Sequence, residues 1–306
     1  MADGFVLDFT VYSAAPTISC FLSTRLASLH QAQLSQLFAE DLISVDGQIA
    51  SENQVLAVGQ KVAVSLSDHY EEPVDTHWRK LWENDEILAV FKPHLLPVSR
   101  TTRNLYNTLI SLVRRQTTYE DAHLLHRLDT ETAGIILLAK NKVADQKWKP
   151  RLDQLISKKV YHAWVEGIPE WDELSYECEL SEKVGSPIRC QMYVVDQAES
   201  DLYPKPKQSQ TLFRVLRKEE GKSLIECELM TGRKHQIRAH LAHLGHPIIG
   251  DKIYSKGGQY YLKRLDKELG KADFAELGSE YQRLTAVRVD INPDDQSVTI
   301  RVDSRD

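Results

Sequence analysis

The most constraining stretch of this chain is residues 126–139, HRLDTETAGIILLA, where a charged loop passes directly into an unbroken apolar run. Gly134–Ala139 carries no polar side chain, the pattern of a strand buried within a sheet. The run is far too short to cross a bilayer, which takes about 20 residues. In the loop before it, Arg127 stands two residues ahead of Asp129. Residues two apart in extended chain point the same way, so both side chains can face one cleft. From spacing alone the favoured reading is a local ion pair that caps the strand.

The remaining chain supplies more strands than helices. Ile87–Phe91, Val160–Glu166, Thr211–Leu216, Ser223–Leu229, Val287–Ile291 and Val298–Val302 read as strands. Helices are expected over Leu105–Arg114, with Leu105, Leu109, Leu112 and Val113 on one face, and over Asn141–Ile156, which is basic and amphipathic. A third is expected over His235–Leu244, stopped by Gly245 and Pro247. Strands do not alternate one for one with helices, so the expected fold is α+β, built on a mixed, mostly antiparallel sheet.

At 306 residues the chain has room for a large domain and a small one. The polar, aperiodic stretch DHYEEPVDTHWRK (68–80) marks the division. Residues 1–70 are expected to form a small N-terminal α+β domain, 71–80 a linker and 81–306 the main domain. Within the small domain, helices are expected around Ser23–Leu29 and Gln31–Asp41. A strand through Ile43 and Val45 then ends in an Asp46-Gly47 turn, and Val62, Val64 and Leu66 alternate as a half-buried strand does.

A second polar stretch, TGRKHQIRAHL (231–241), crowds donors at a turn-to-helix junction, which makes an anion site. Arg233 stands where a phosphate would bind, whereas Arg238 lies about one and a half turns further on and points elsewhere. His235, His240, His243 and His246 invite a metal reading. No H-E-x-x-H is present, no carboxylate is interleaved, and the only nearby acid is Asp251. They read as core or interface histidines, and no metal is expected. No P-loop, dinucleotide fingerprint or G-x-S-x-G is present either.

Cys20, Cys178, Cys190 and Cys227 form no C-x-x-C pair and read as reduced, mostly buried thiols of a cytoplasmic protein. The opening MADGFVLDFTVY does not read as a signal peptide, and no membrane association is expected. The net charge of −6 is unfavourable for a nucleic-acid partner only in bulk, because the cations are segregated. Lys147, Lys149, Arg151, Lys158 and Lys159 fall within 147–159, and Arg233, Lys234 and Arg238 within 233–238. Acids concentrate at 71–86 and 266–280. This fits a basic cleft on an acidic body, although composition alone favours solvated helix faces.

HRLDTETAGIILLAK resembles the catalytic motif of the RluA-type pseudouridine synthases, enzymes that isomerise a uridine within RNA. TGRKHQIRAHLAHLGHPIIGDKIY resembles their later motif, NDEILAVFKPHLLPV (84–98) their opening strand, and SKKVYHAWVEG (157–167) their tyrosine-bearing strand. The four occur in the family's order and span residues 82 to about 302. The resemblance implies a mixed-sheet catalytic core and no cofactor. It implies that Asp129 is the nucleophile and that Arg238 pairs with it and keeps it ionised. Arg127 would enter the RNA stack where the uridine leaves it. Tyr161 would pack on the flipped base and serve the proton transfer. Arg233, Lys234, Lys158 and Lys159 are the expected RNA-binding cations.

Three positions depart from the family pattern. Leu95 stands where a glycine usually follows Lys-Pro, Ala133 replaces a serine, and Lys234 replaces a threonine or serine. The N-terminal domain is similar to the small RNA-binding domain that precedes many of these synthases, yet residues 15–70 hold only Arg25 and Lys61 as bases. The expected partner is RNA, ribosomal rather than transfer RNA because that domain mostly accompanies the ribosomal enzymes, and the expected state is a monomer. Two other readings stay open: a catalytically silent RNA-binding assembly factor, and a metal-dependent hydrolase using the His-rich helix.

Overall fold

The structure, a computed structural model, describes residues 5–13, 17–26, 31–66, 71, 73–101 and 104–303. They gather into two compact units, one from Met1–Val74 with Ser99–Leu112, the other from Asp75–Val98 with Val113–Asp306. Of the stretch read as a linker, 73–78 carry neither helix nor strand, and Arg79 and Lys80 already belong to a strand.

The first unit opens with β1 (Phe5–Thr10), α1 (Ile18–Arg25) and α2 (Gln31–Ala39), followed by β2 (Ile43–Val45), β3 (Gln48–Ile49) and β4 (Lys61–Leu66). Its four strands form an antiparallel sheet in the order β1-β4-β2-β3. Asp46 and Gly47 both take positive φ (50° and 80°), as a tight hairpin turn between right-twisted strands requires. The Asp46 carboxylate then ties the turn down, accepting from the Lys61 N–H at 2.9 Å. Helix α1 begins earlier than the expected Ser23, because Thr17 caps it by accepting from the Cys20 N–H at 3.2 Å. The expected end of that helix, residues 27–29, lies outside the described residues. Leu7, Ile18, Leu22, Ile43, Val62 and Val64 form the core of this unit, joined by Leu105.

The second unit begins with β5 (Arg79–Glu83) and β6 (Ile87–Lys92). The next helix, α3 (Leu109–Gln116), belongs to the first unit up to Leu112 and to the second from Val113, and starts four residues later than expected. The N–H groups of Leu105, Tyr106 and Asn107 are instead held by the Glu71 carboxylate at 2.6–2.8 Å, which satisfies that backbone without a helix. There follow β7 (His123–Leu124), β8 (Ala133–Ala139), α4 (Lys142–Trp148), α5 (Leu152–Leu155) and β9 (Ile156–Glu166). The expected helix over Asn141–Ile156 is therefore broken. Asn141 caps α4, a single 3-10 turn containing Pro150 interrupts, and Ile156 already opens a strand. The chain closes with β10 (Glu173–Ser181), β11 (Tyr193–Val194), β12 (Lys207–Glu219), β13 (Lys222–Leu229), α6 (Gln236–His243), α7 (Gln259–Asp266), α8 (Lys271–Leu277), β14 (Leu284–Ile291) and β15 (Val298–Arg301).

Eleven strands form one sheet, ordered β11-β10-β12-β13-β9-β14-β8-β6-β5, with β15 on β14 and β7 on β8. Every pairing is antiparallel except β14 with β8, so the fold is the expected α+β type with a mixed, mostly antiparallel sheet. All residues of β6 and β8 are buried, which is why the apolar run needs no polar face. The parallel pair comes so close that a Cβ on Gly134 would lie 2.2 Å from the Ala286 carbonyl oxygen. Only glycine fits there. That contact fixes where the 126–132 loop leaves the sheet.

Candidate active site

Asp129 sits in the loop just before β8, at the end of the parallel pair. Arg238, on the first turns of α6, donates from Nη1 to Asp129 Oδ2 at 2.6 Å. Its other edge grips Asp251, Nε to Oδ2 at 2.7 Å and Nη2 to Oδ1 at 2.9 Å. One guanidinium thus joins two carboxylates of unequal exposure: the Asp129 side chain is 34% exposed, that of Asp251 0%. Burial alone would push the Asp129 carboxyl up, but the charge of Arg238 and its hydrogen bond outweigh that and hold it below the usual carboxylate range. Asp129 is ionised at neutral pH. It does not pair with Arg127: the local ion pair suggested by spacing is absent among the described residues, since the stronger partner arrives from α6.

The Asp129 loop is tied down on several sides. Lys92, fully buried at the end of β6, donates to the carbonyls of Pro93, Leu96 and Thr130 at 2.8–3.0 Å. Burial lowers its pKa to about 7, against the opposing pull of Asp129 and Glu131. Glu131 accepts two contacts from Lys252 at 2.9 Å, and Thr132 accepts from the Gln282 side chain. Leu95 holds φ +64°, the left-handed region, where the resembled family usually has glycine. A leucine there costs about 1–2 kcal/mol. The loop therefore keeps a glycine's conformation without the glycine.

Tyr161 lies on β9 opposite Ala286 of β14, which in turn pairs with Gly134, so its ring is two strands from the Asp129 loop. Burial, reinforced by the Asp129 charge, raises its phenol pKa above the ordinary value, so it is protonated. Lys159 shares that face of β9, two residues before Tyr161. Its ammonium stands beside the 231–235 loop, 3.1 Å from where a Cβ on Gly232 would be. Burial lowers its pKa, and it has no carboxylate partner among the described residues. Adjacent strand residues face opposite ways, and Lys158 accordingly pairs with Glu228 at 2.7 Å on the other face.

Arg127 is exposed and makes no ion pair among the described residues. Arg233 is exposed, with Nε donating to the Gln208 carbonyl at 2.9 Å, and Lys234 meets Glu182 at 3.1 Å. The structure therefore brings Asp129, Arg238, Tyr161 and Lys159 to one region and leaves Lys158 out. The 147–159 stretch is not the open basic surface expected. Lys147 pairs with Glu86 and Asp294, Lys149 with Asp145, and Lys158 with Glu228.

His235 takes φ +55° just before α6 and approaches Asp129 Oδ2 at 3.8 Å, its Nδ1 on the Tyr254 hydroxyl at 3.1 Å. Burial and the nearby Arg238 hold its pKa at about 4, so it is neutral. His240 is buried between Thr211 and Ser209 at 3.1 and 2.9 Å. No group of three or more His, Cys, Asp and Glu residues is placed to hold a metal among the described residues. The thiols are less buried than expected: Cys227 is buried, Cys178 and Cys190 are intermediate, and Cys20 is exposed. Sequence reasoning missed Asp251 and His235 as parts of this region, whereas Lys92 is the core-shaping residue it was read to be. A lone acid closing the apolar run HPIIGD was the available signal for the first.

Comparisons with known proteins identify the family. The model of the RNA pseudouridylate synthase family matches residues 86–243, just over half the chain. The dual-specificity RNA pseudouridine synthase RluA of Vibrio parahaemolyticus is 31% identical over 232 residues, covering 74% of this chain and 88% of that protein. The chain belongs to the RluA family of RNA pseudouridine synthases. This synthase is also 32% identical over 251 residues to the Mycoplasma pneumoniae uncharacterized RNA pseudouridine synthase MG209 homolog, covering 79% of this chain and 78% of the relative. Its fold matches that of human RNA pseudouridylate synthase domain containing 1 with a TM-score of 0.59, at 22% identity over 76% of this chain and 86% of that one. Like the family, the synthase is an isomerase acting on RNA. No helix among its described residues is long and apolar enough to cross a membrane.

Proposed function

We propose that this synthase isomerises a specific uridine of ribosomal RNA, with Asp129 as its covalent nucleophile. The observation that carries this reading is the Arg238–Asp129 contact at 2.6 Å, which keeps a solvent-reachable carboxylate ionised. Only the ionised form attacks. The carboxylate adds to ribose C1′ as the N1–C1′ bond breaks, and the base leaves with the electron pair. The base turns, C5 attacks C1′ and the ester to Asp129 breaks. C5 loses its proton and N1 gains one, so atoms and electrons balance without a redox partner.

The target must first leave its stack, at a cost of a few kcal/mol. Arg127, exposed and unpaired by any carboxylate among the described residues, suits the place it vacates, because a guanidinium plane stacks on bases. Tyr161 offers its ring to the flipped base. Its phenol resists ionisation while Asp129 is charged, and that resistance eases once the carboxylate becomes an ester. Lys159, with Arg233 on the neighbouring loop, supplies the phosphate contacts, and Lys234 joins them only by releasing Glu182. The N-terminal unit, poor in cations, serves as an accessory to RNA or protein contacts rather than as the main source of affinity.

The test is pseudouridine mapping across total RNA in cells with the protein, without it, and with Asp129→Ala only. The expected result is one or more ribosomal RNA positions losing their mark in both altered strains. Loss confined to transfer RNA overturns the substrate assignment. A mark that persists with Asp129→Ala but not in the deletion overturns the nucleophile.

A further inference from the structure

Beside Asp129 stands an imidazole to which the proposed chemistry gives no role. We propose that His235 contacts the substrate, donating from Nε2 to a carbonyl oxygen of the flipped uracil and stabilising the charge that the base takes up as it leaves ribose C1′. This inference rests on the reading of Asp129 as nucleophile.

The hydrogen bonds around the ring decide which of its nitrogens carries the proton. The Met192 N–H donates to the Tyr254 hydroxyl oxygen at 2.8 Å, and that oxygen lies 3.1 Å from His235 Nδ1. Burial raises the Tyr254 phenol pKa, so the hydroxyl keeps its hydrogen. Tyr254 Oη makes no other hydrogen bond among the described residues, so that hydrogen goes to Nδ1. An accepting Nδ1 leaves the proton of a neutral imidazole on Nε2. Nε2 faces Asp129 Oδ2 at 3.8 Å, too far for a hydrogen bond, and makes none among the described residues. With the side chain 10% exposed, this donor is aimed into the site and unspent. The backbone is committed to that placement. His235 holds φ +55°, which a residue other than glycine keeps only where its surroundings impose it, and its carbonyl accepts from the Ala239 N–H at 2.9 Å.

The chemistry says what such a donor meets. Asp129 attacks C1′, and on the base side of that atom stand N1 and then C2 with its oxygen O2. As the N1–C1′ bond breaks, negative charge spreads over N1, O2 and O4, and none reaches the ribose hydroxyls. A fixed donor in a place shielded from water contributes most where charge develops. Turning the base about its C6–N3 axis exchanges N1 with C5 and O2 with O4. The same N–H therefore meets O2 before the turn and O4 after it, without moving. Burial and the Arg238 charge keep the ring neutral. A protonated ring would be a second cation on Asp129 and would hold the nucleophile's charge more tightly.

The experiment measures kcat and KM by tritium release from RNA labelled with [5-³H]uridine in cells lacking the protein. Isomerisation frees the C5 hydrogen, so release reports turnover. Two variants separate the two ring nitrogens. The asparagine amide oxygen falls where Nδ1 stands, so His235→Asn keeps the Tyr254 bond and tolerates positive φ but offers no donor to the base. The glutamine amide nitrogen falls where Nε2 stands, so His235→Gln keeps the donor and gives up the Tyr254 bond. His235→Asn is expected to lower kcat on the order of 100-fold with KM within about threefold, as loss of a transition-state donor does. His235→Gln is expected to keep kcat within about tenfold of the wild type. A merely structural histidine predicts the reverse order, and that order, or equal kcat values in the two folded variants, overturns the proposal. Where either variant does not fold, nitrogen NMR of the imidazole in the wild-type protein carries the test. A proton on Nε2 of His235 is expected, and a proton on Nδ1 overturns the proposal. Asp129→Asn serves as the control: if it still turns over, the nucleophile reading has failed instead.

Discussion

Two stretches of this synthase carry similar cation density and use it in opposite ways. Over residues 147–159, Lys147, Lys149 and Lys158 each close on a carboxylate, so most of the positive charge is consumed within the fold, while Arg151 stays exposed. Over residues 233–238, Arg238 is also consumed, yet its anions are Asp129 and Asp251, so the pairing builds a site rather than a surface. Lys159 divides the first stretch. It sits next to Lys158 in sequence but on the opposite face of β9, beside the 231–235 loop and without a carboxylate among the described residues. Density of charge in a sequence therefore says little about free charge on a surface. Strand alternation and the nearest acid decide which cations RNA can reach.

The sharpest way to break this comparison is to truncate the two adjacent lysines separately. Lys159→Ala is expected to weaken RNA binding about tenfold and to lower the slope of log affinity against log salt by about 1. Lys158→Ala should leave both unchanged, because its charge is already spent on Glu228. Filter binding of the labelled RNA at several salt concentrations checks this, and equal losses from the two variants would contradict the assignment of faces.

A smaller effect is expected at Lys147, which meets Glu86 and Asp294 and lies 4.5 Å from the Trp148 ring. Lys147→Ala should lower stability by about 1 kcal/mol in denaturant unfolding, the scale of a partly exposed pair, with no change in RNA affinity. A loss of affinity without a loss of stability would place this lysine on the RNA after all.

The sheet around Asp129 was legible because its signal is local. The apolar run of β8 is written in consecutive residues, and every residue of that strand is buried. The long basic helix was read with the right start, at the Asn141 cap, but periodicity hid the break that Pro150 imposes. Strand β10 was missed although Leu174, Tyr176, Cys178 and Leu180 alternate with polar residues as a half-buried strand does. At the site, the resemblance named Asp129 and Arg238, but no spacing rule joins residues 109 apart. Helix geometry did separate Arg238 from Arg233, without saying what it would reach. Asp251 escaped because a buried charge reads in sequence like any other, and only the packed structure shows how its partners satisfy it.

The most direct test of the central claim is a quantitative comparison of the wild-type protein with Asp129→Ala on [5-³H]uridine-labelled RNA from cells lacking the protein. The wild type is expected to release one tritium per pseudouridine formed, and Asp129→Ala none above background despite undiminished RNA binding. Release by Asp129→Ala at a rate near that of the wild type would show that another group performs the chemistry.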